Sequence, residues 1–325
     1  MSETPWQPAA GLDVLRLRAQ LLTRLRAFFA EHEILEVETP LLSHAGLPSP
    51  QLESFAVHPV SRPGALTGYL HTSPEFPMKR LLAAGAGPIY QVCRVFRADE
   101  RGRRHNPEFS LLEWYRPGFD ADALMAELEA LLQALFAGLR PLPPLRRLSY
   151  REAFLQYAGV DGLDTAVVPL RAALDDHDVP LPADMPADDP DPWRDLLLTQ
   201  VIEPRLPPAV FVYDYPASQA ALARIRPGTP PVAERFELYL DGVEIANGFH
   251  ELTDAAEQRR RFEAENAARI AQGLSPLRLD TALLAALEHG LPDCAGVAVG
   301  LDRVLMHAAG VDDIDAVLAF PWERA

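Results

Sequence analysis

Two β-type runs, Pro88 to Arg97 and Glu108 to Tyr115, flank a polar ten-residue loop, and this strand–loop–strand unit constrains the chain more than any other feature. Period-two alternation puts Phe109, Leu111, Glu113 and Tyr115 on one face of the second strand. That face carries a ring, a carboxylate and a phenol. Arg97 ends the preceding strand, and the loop between is basic. A nucleotide site needs such parts: a guanidinium for an oxyanion, a ring for the base, and basic donors for the outer phosphates. An amphipathic hairpin with a solvated charged loop has the same composition, so both readings stand at this point.

A second unit is the pair Glu237 and Glu244. Asp241-Gly242 is a strong two-residue hairpin turn, within strands expected over Arg235 to Ile245. Closed that way, Leu240 faces Val243 and Tyr239 faces Glu244. Glu237 then shares a face with Glu244, diagonally across at roughly 7–8 Å. Carboxylates held so can ligate hard cations bridged by phosphate oxygens; surface glutamates on an edge hairpin share the pattern. Asn247 and Glu251 follow, separated by Gly248, which is expected to let the backbone re-aim them. A third unit runs from Gly296 through Gly300 into a helix from Leu301, with Arg303 in its first turn. Backbone N–H groups, helix dipole and guanidinium favour an anion there. No segment ending in Gly-Lys-Ser/Thr is present, so a P-loop is excluded as the phosphate device.

Elsewhere the periodicity predicts an amphipathic helix over 12–32, with Leu17, Leu21, Leu22, Leu25, Phe28 and Phe29 at helical spacing. A short strand, Ile34 to Val37, follows and is ended by Pro40. Residues 41–68 read as loop-rich. Helices are expected over Phe76 to Ala84, Leu124 to Leu139 and Ala255 to Gln272. From about 141 to 231 the chain is rich in Pro, Asp and Ala with short helices, and reads as an insertion.

The 325 residues are 48% hydrophobic, enough for a substantial core. No run of about 18 apolar residues appears, so a membrane span is not expected. Net charge is −16, which counts against a general nucleic-acid-binding surface. Lys79 is the only lysine; codon bias explains this, and avoidance of self-modification by a lysine-modifying enzyme is a rival reading. Cys93 and Cys294 form no CxxC pair and read as reduced core thiols of a cytoplasmic protein. Met1 to Pro8 carries no signal-peptide pattern.

Taken in order, these pieces resemble the three motifs of class II aminoacyl-tRNA synthetases. Phe28-Phe29 through Pro40 is similar to motif 1, residues 94–115 to motif 2, and 296–306 to motif 3. Within that class the chain resembles lysyl-tRNA synthetases at Thr72 to Glu75, Lys79 to Leu82, Arg104 to Phe109, and Glu244 to Leu252. Only about eleven residues precede the first helix, so the anticodon-binding barrel of that group is not expected. The resemblance is closer to the family of truncated paralogues that ligate (R)-β-lysine to elongation factor P. Its marks are Tyr215-Pro216-Ala217-Ser218-Gln219-Ala220, Ala298 where lysyl-tRNA synthetases carry glycine, and Ser73 where they carry alanine. A methyl at 298 would reshape the pocket floor by about one carbon, the change that an amino group moved from α to β demands.

The resemblance implies an α+β fold, an antiparallel β-sheet flanked by helices. It implies one catalytic domain over 1–325, interrupted at about 141–231 and without an anticodon-binding domain. It implies ATP and Mg²⁺, with Glu237 and Glu244 holding the metal. Arg97 would hold the α-phosphate and Arg303 with His105 the γ-phosphate end, both arginines being catalytic. Phe109 would stack on adenine and Asn106 would help position the nucleotide. Ala98, Asp99, Ile245 and Gly300 would complete the nucleotide set. The family pattern Phe-Arg-x-Glu reads Phe96-Arg97-Ala98-Asp99 here with Glu100 next, so either acid could face adenine. Ser73, Pro74, Glu75, Tyr115, Asn247, Glu251 and Ala298 would bind the amino acid, Glu75 at the backbone-side amine and Glu251 with Tyr115 at the distal ammonium. For Glu113 a structural ion pair is an equal reading, and for His250 a structural role is preferred. The implied acceptor is a lysine ε-amine of elongation factor P, not tRNA, and motif 1 implies a homodimer. A lysyl-tRNA synthetase relative that charges RNA and a non-catalytic regulatory paralogue are the alternatives. An asparagine synthetase is disfavoured by Glu75 with Glu251.

Overall fold

The computed structural model describes residues 6–62, 64–183 and 185–325; residues 1–5, part of the N-terminal stretch without a signal-peptide pattern, lie outside the described residues. In chain order come α1 (Leu12–Glu31), β1 (Leu35–Glu36), β2 (Leu42–Ser43), β3 (Ala56–Val57), β4 (Gly68–Leu70), α2 (Glu75–Ala83), β5 (Ile89–Phe96) and β6 (Glu108–Pro117). Then follow α3 (Ala121–Phe136), β7 (Arg146–Ser149), α4 (Tyr150–Tyr157), α5 (Val167–Asp176), α6 (Asp191–Leu197), β8 (Ala209–Pro216), β9 (Ile225–Arg226), β10 (Val232–Leu240) and β11 (Val243–His250). The last elements are α7 (Ala255–Ala271), α8 (Thr281–Gly290), β12 (Cys294–Gly300) and α9 (Leu301–Ala309). The residues group into two compact units, Met1–Phe119 with Ala130–Pro141 and Thr253–Ala325, and Asp120–Glu129 with Leu142–Leu252. Among the described residues no helix is long and apolar enough to cross a membrane.

In the first unit the strand order is β1-β5-β6-β12, with β1 parallel to β5 and the other pairs antiparallel. α1 forms where the leucine and phenylalanine spacing predicts it, and buries Leu21, Leu25, Phe28 and Phe29. Phe29 stacks on Tyr90 of β5 at 4.2 Å and meets Trp114 of β6 edge-on at 5.5 Å. This aromatic cluster fixes the helix on the two strands that carry the polar loop. α7 and α8 open on Asp254 and Asp280, whose carboxylates each accept two backbone N–H groups. α9 opens at Gly300 and stops at Gly310, whose φ of 68° closes a turn in which Val311 N–H returns to Met306 O. The region read as loop-rich contains a small sheet, β2-β4-β3. Strands of two or three residues show no period, which is why they escape a sequence reading.

In the second unit the order is β11-β10-β8-β7, with β9 beside β10. The segment expected as short helices supplies β7, β8 and β9 as well as α4, α5 and α6. Its core gathers Tyr150, Phe154, Trp193, Leu197, Val210, Val212 and Tyr215. The β10–β11 turn closes as the Asp241-Gly242 dipeptide requires, with φ of 49° and 70°, Leu240 opposite Val243 and Tyr239 opposite Glu244. Beyond it the register shifts: Leu238 pairs with Ala246 and Glu237 with Asn247, leaving Ile245 as a bulge. The bulge brings Glu237, Tyr239, Glu244 and Asn247 onto one face, which strict alternation from Glu244 to Asn247 forbids. The re-aiming of Asn247 relative to Glu244 therefore belongs to Ile245. Gly248 serves a packing need, since a Cβ there would stand 2.3 Å from the Phe236 ring. Gly248→Ala is expected to cost about 1–3 kcal/mol and lower the thermal midpoint by several degrees. An unchanged midpoint would mean that Phe236 swings clear.

Candidate active site

The two ends of the β5–β6 loop place cations and a ring together. The Arg97 guanidinium lies 5.0 Å above the Phe109 ring, and its Nη1 donates to Glu100 Oε1 at 2.9 Å. Phe109 sits opposite Val95 in the β5–β6 register, two residues from Arg97. Across the loop, Arg303 Nη2 donates to His105 Nε2 at 2.7 Å and Arg303 Nε to Arg104 O at 3.4 Å. An arginine can only donate, so His105 accepts at Nε2 and carries its proton on Nδ1. Burial, then the Arg303 charge, hold His105 below the usual histidine range, and it also senses Glu100, Arg97 and Arg104. It is therefore a neutral acceptor inside a cluster of guanidinium groups.

Asp302 sets the helix that carries Arg303. It is 1% exposed, takes Ser110 N–H at 2.6 Å on one oxygen, and pairs with Arg18 of α1 on the other. The residue before the arginine thus ties α9 to β6 and α1 at once. Ala98 is anchored by its N–H to Glu53 O at 2.9 Å. Asp99 is exposed, whereas Glu100 is half-buried on Arg97. Asn106 is 5% exposed, and its amide donates to Glu108 O at 2.7 Å and accepts Trp322 N–H at 3.0 Å. Its side chain thus bridges the start of β6 and the backbone of Trp322.

Further along β6, Glu113 is 2% exposed and accepts Tyr115 O–H at 2.6 Å and Ser73 O–H at 2.8 Å. Its hydrogen bonds come from hydroxyls, which corrects the ion-pair reading of this residue. Burial, then the nearby Glu75 charge, push its carboxyl up to about 7. Ser73 also accepts Glu75 N–H at 3.0 Å, at the start of α2, where Pro74 is the N-cap. Glu75 Oε1 meets Lys79 Nζ at 2.5 Å, and this single lysine is 1% exposed. Ala298 lies directly opposite Glu113 in the β6–β12 register. Cross-strand partners share a face, so the Ala298 methyl and the Glu113 carboxylate stand side by side. A cavity of about 470 Å³ opens beside Ser73 and Glu75, walled also by Arg80, Arg278 and Asp280. Cys93 is half-buried and Cys294 buried, and neither forms a disulfide.

In the second unit Glu237 is a hub. Its Oε2 accepts Tyr215 O–H at 2.6 Å and Tyr239 O–H at 2.5 Å, and its Oε1 accepts from Arg235. Arg235 in turn lies 4.5 Å over the Tyr215 ring, donates to Gln219 O at 2.9 Å and reaches Asn247 Oδ1 at 3.3 Å. Tyr215 and Gln219 of the Tyr215-to-Ala220 segment thus meet Glu237 and Arg235. A carboxylate oxygen has about two acceptor positions, so Oε2 is filled and Oε1 keeps one. Glu244, opposite Tyr239, is half-buried on the same face. Oxygen donors of this kind suit Mg²⁺, which takes one or two carboxylates and brings its other oxygens from elsewhere. Among the described residues there is no group of three or more His, Cys, Asp or Glu that could hold a metal ion. The donor chemistry on this face, Glu237 Oε1 beside the Glu244 carboxylate, fits a hard cation such as Mg²⁺. Glu251 is 1% exposed and lies beside Ala223, and Ile245 is 3% exposed. His250 Nδ1 is 2.7 Å from Glu234, the structural role expected of it.

A family model described as tRNA synthetases class II (D, K and N) matches residues 9–324. The chain belongs to that class II family. It is similar to a Vibrio cholerae protein named elongation factor P–(R)-β-lysine ligase, at 50% identity over 334 residues and 100% of both chains. Proteins of the same name from Vibrio parahaemolyticus and Klebsiella pneumoniae are 48% and 47% identical, covering 99% and 100% of this chain and 100% of their own. The class II fold expected from the motifs is therefore the fold of this chain. Motif 2 is β5–loop–β6 and motif 3 is β12–α9. Within each unit the strand pairs are antiparallel but for β1 with β5 in the first and β7 with β8 in the second. The residues that sequence reasoning undervalued are Glu113, Asp302 and Arg235. Of these only Glu113 carried a signal, its place on one strand face with Phe109 and Tyr115.

Proposed function

We propose that the chain is a ligase that activates (R)-β-lysine with ATP and transfers it to a lysine ε-amine of elongation factor P. The observation that carries this reading is a convergence. Ser73 and Ala298, two of the positions at which the resemblance marks a difference from lysyl-tRNA synthetases, both bear on Glu113, one by a hydrogen bond of 2.8 Å and one as its cross-strand neighbour. An ammonium group placed on Glu113 is thereby framed by the Ser73 hydroxyl and the Ala298 methyl. The full-length relatives named for this reaction support the same reading.

In the first half-reaction a carboxylate oxygen attacks the α-phosphorus of ATP, the bond to the bridging oxygen breaks, and pyrophosphate leaves. No enzymic nucleophile is needed, so positioning and charge neutralisation do the work. Arg97 holds the α-phosphate, and Arg303 with neutral His105 holds the γ-phosphate end. Phe109 offers the ring face away from Arg97 to adenine, and Glu100, already in the cluster, is the better placed acid than Asp99. Glu113 with Tyr115 receives an ammonium of the amino acid; its charge is expressed when the ligand's own charge offsets burial. Glu75 takes the other amine. In the second unit the reading assigns Asn247 and Glu251 to the amino acid, and Glu237 and Glu244 to Mg²⁺, which when bound offsets phosphate charge. In the second half-reaction the neutral acceptor amine attacks the acyl carbon, AMP leaves, and a proton is lost from the new amide nitrogen. The whole chain acts as one class II catalytic domain, dimeric through motif 1 and working in the cytoplasm.

The test is the mass of elongation factor P after incubation with the protein, ATP and (R)-β-lysine. One lysyl adduct is expected. No adduct with either lysine isomer, alongside charged tRNA in a parallel reaction, would replace this reading with the RNA-charging one.

A further inference from the structure

The segment after α9 grips the β5–β6 loop at several independent points. Ile314 N–H donates to Arg103 O at 2.9 Å, and Trp322 N–H donates to Asn106 Oδ1 at 3.0 Å. Arg101 Nε donates to Glu323 Oε1 at 2.6 Å, and its Nη groups reach Asp315 at 3.3 and 3.4 Å. Arg103 pairs with Asp312. Two basic residues of the loop are thus already paired with carboxylates of residues 312–323. The same loop carries His105 on Arg303, and Arg101 Nη1 also donates to His105 O at 3.3 Å.

We infer that residues 311–325 position the nucleotide loop, with the Trp322 N–H to Asn106 bond and the Arg101–Asp315–Glu323 cluster as its two clasps. The exposed ion pairs alone contribute little to stability. The Asn106 bond is different: the side chain is buried, and it links Glu108 at the start of β6 to the 3₁₀ turn Trp322–Arg324. Its loss frees the loop on the side that carries His105. A buried acceptor left unpaired costs more than the bond contributes. Trp322, Asp315 and Glu323 are positioning residues, acting on ATP through Asn106 and Arg101.

The inference rests on the ATP reading above, and one experiment separates the two. Trp322→Pro deletes the N–H donor at the first position of a 3₁₀ turn, where proline is tolerated, while Trp322→Ala keeps the donor and removes the ring. Initial rates of ATP–pyrophosphate exchange would be measured for both, and for Asp315→Asn/Glu323→Gln, against ATP and against (R)-β-lysine. Trp322→Pro is expected to raise the KM for ATP about fivefold with the KM for the amino acid unmoved, and Trp322→Ala to behave as wild type. The double variant is expected to raise the KM for ATP as well, and added salt to reproduce that rise in wild type and not in the variant. Equal KM values for ATP in Trp322→Pro and Trp322→Ala would overturn the inference. Absence of exchange in the wild type would instead remove the ATP reading itself.

Discussion

Arg97→Ala is expected to lower amino-acid-dependent ATP–pyrophosphate exchange about a thousandfold. The guanidinium sits at the end of β5, stacked on Phe109 and steered by Glu100, so its place is set before any ligand arrives. In the transition state of adenylation the α-phosphate gathers negative charge, and a preorganised planar donor loses little by meeting it there. Arg97→Lys keeps the charge but not the fork, and is expected to recover only about tenfold of the loss. Neither change should move the thermal midpoint far, because the side chain is half-exposed and makes one ion pair at 2.9 Å. Exchange within threefold of wild type in Arg97→Ala would remove Arg97 from the chemistry.

Glu113→Gln is expected to act in opposite directions on binding and stability. Its carboxyl, pushed up to about 7, ionises above the range of an unfolded glutamate. With a raised folded value, the acid is neutral in both states well below pH 4, so its burial carries no charge penalty there. Stability is then lost as pH rises from the unfolded value through about 7, and the loss is complete above it. Glutamine never ionises, so at pH 8 the variant should be more stable by on the order of 2 kcal/mol, seen as a higher thermal midpoint that converges on wild type in acid. Binding runs the other way. A hydrogen bond from an ammonium to a charged partner is lost, and the KM for the amino acid should rise about a hundredfold. In wild type that KM should fall as pH rises toward about 7 and then level off, and in Glu113→Gln this limb should be flat. Identical pH profiles in the two proteins would return Glu113 to a purely structural role.

What could be read in the sequence was local or patterned. The β5–loop–β6 unit, the Asp241-Gly242 turn, α1 and the β12–α9 junction each announce themselves within a few residues, because period, turn chemistry and caps are short-range physics. What could not be read depends on partners far along the chain. The Ile245 bulge is a matter of how β11 meets β10, and no residue in the stretch marks it. Glu237 reads as a bare metal ligand until Tyr215, Tyr239 and Arg235 are seen to fill most of its oxygens. Asn106 is expected to help position the nucleotide, and the donor to its Oδ1 is the backbone of Trp322, 216 positions away, which no local pattern announces. Lys79 looked like a compositional oddity, and is a buried counter-charge for Glu75. Each of these belongs to tertiary packing, where a polar group must find a partner wherever the fold provides one.

The most direct test of the central idea, a guanidinium-and-ring cleft that joins a lysine-type carboxylate to ATP, is exchange of labelled pyrophosphate into ATP by the wild-type protein. The account predicts exchange that requires an added lysine-type amino acid and is fastest with (R)-β-lysine. Exchange that ignores lysine-type amino acids, or none with any of them while the protein is folded, would contradict it.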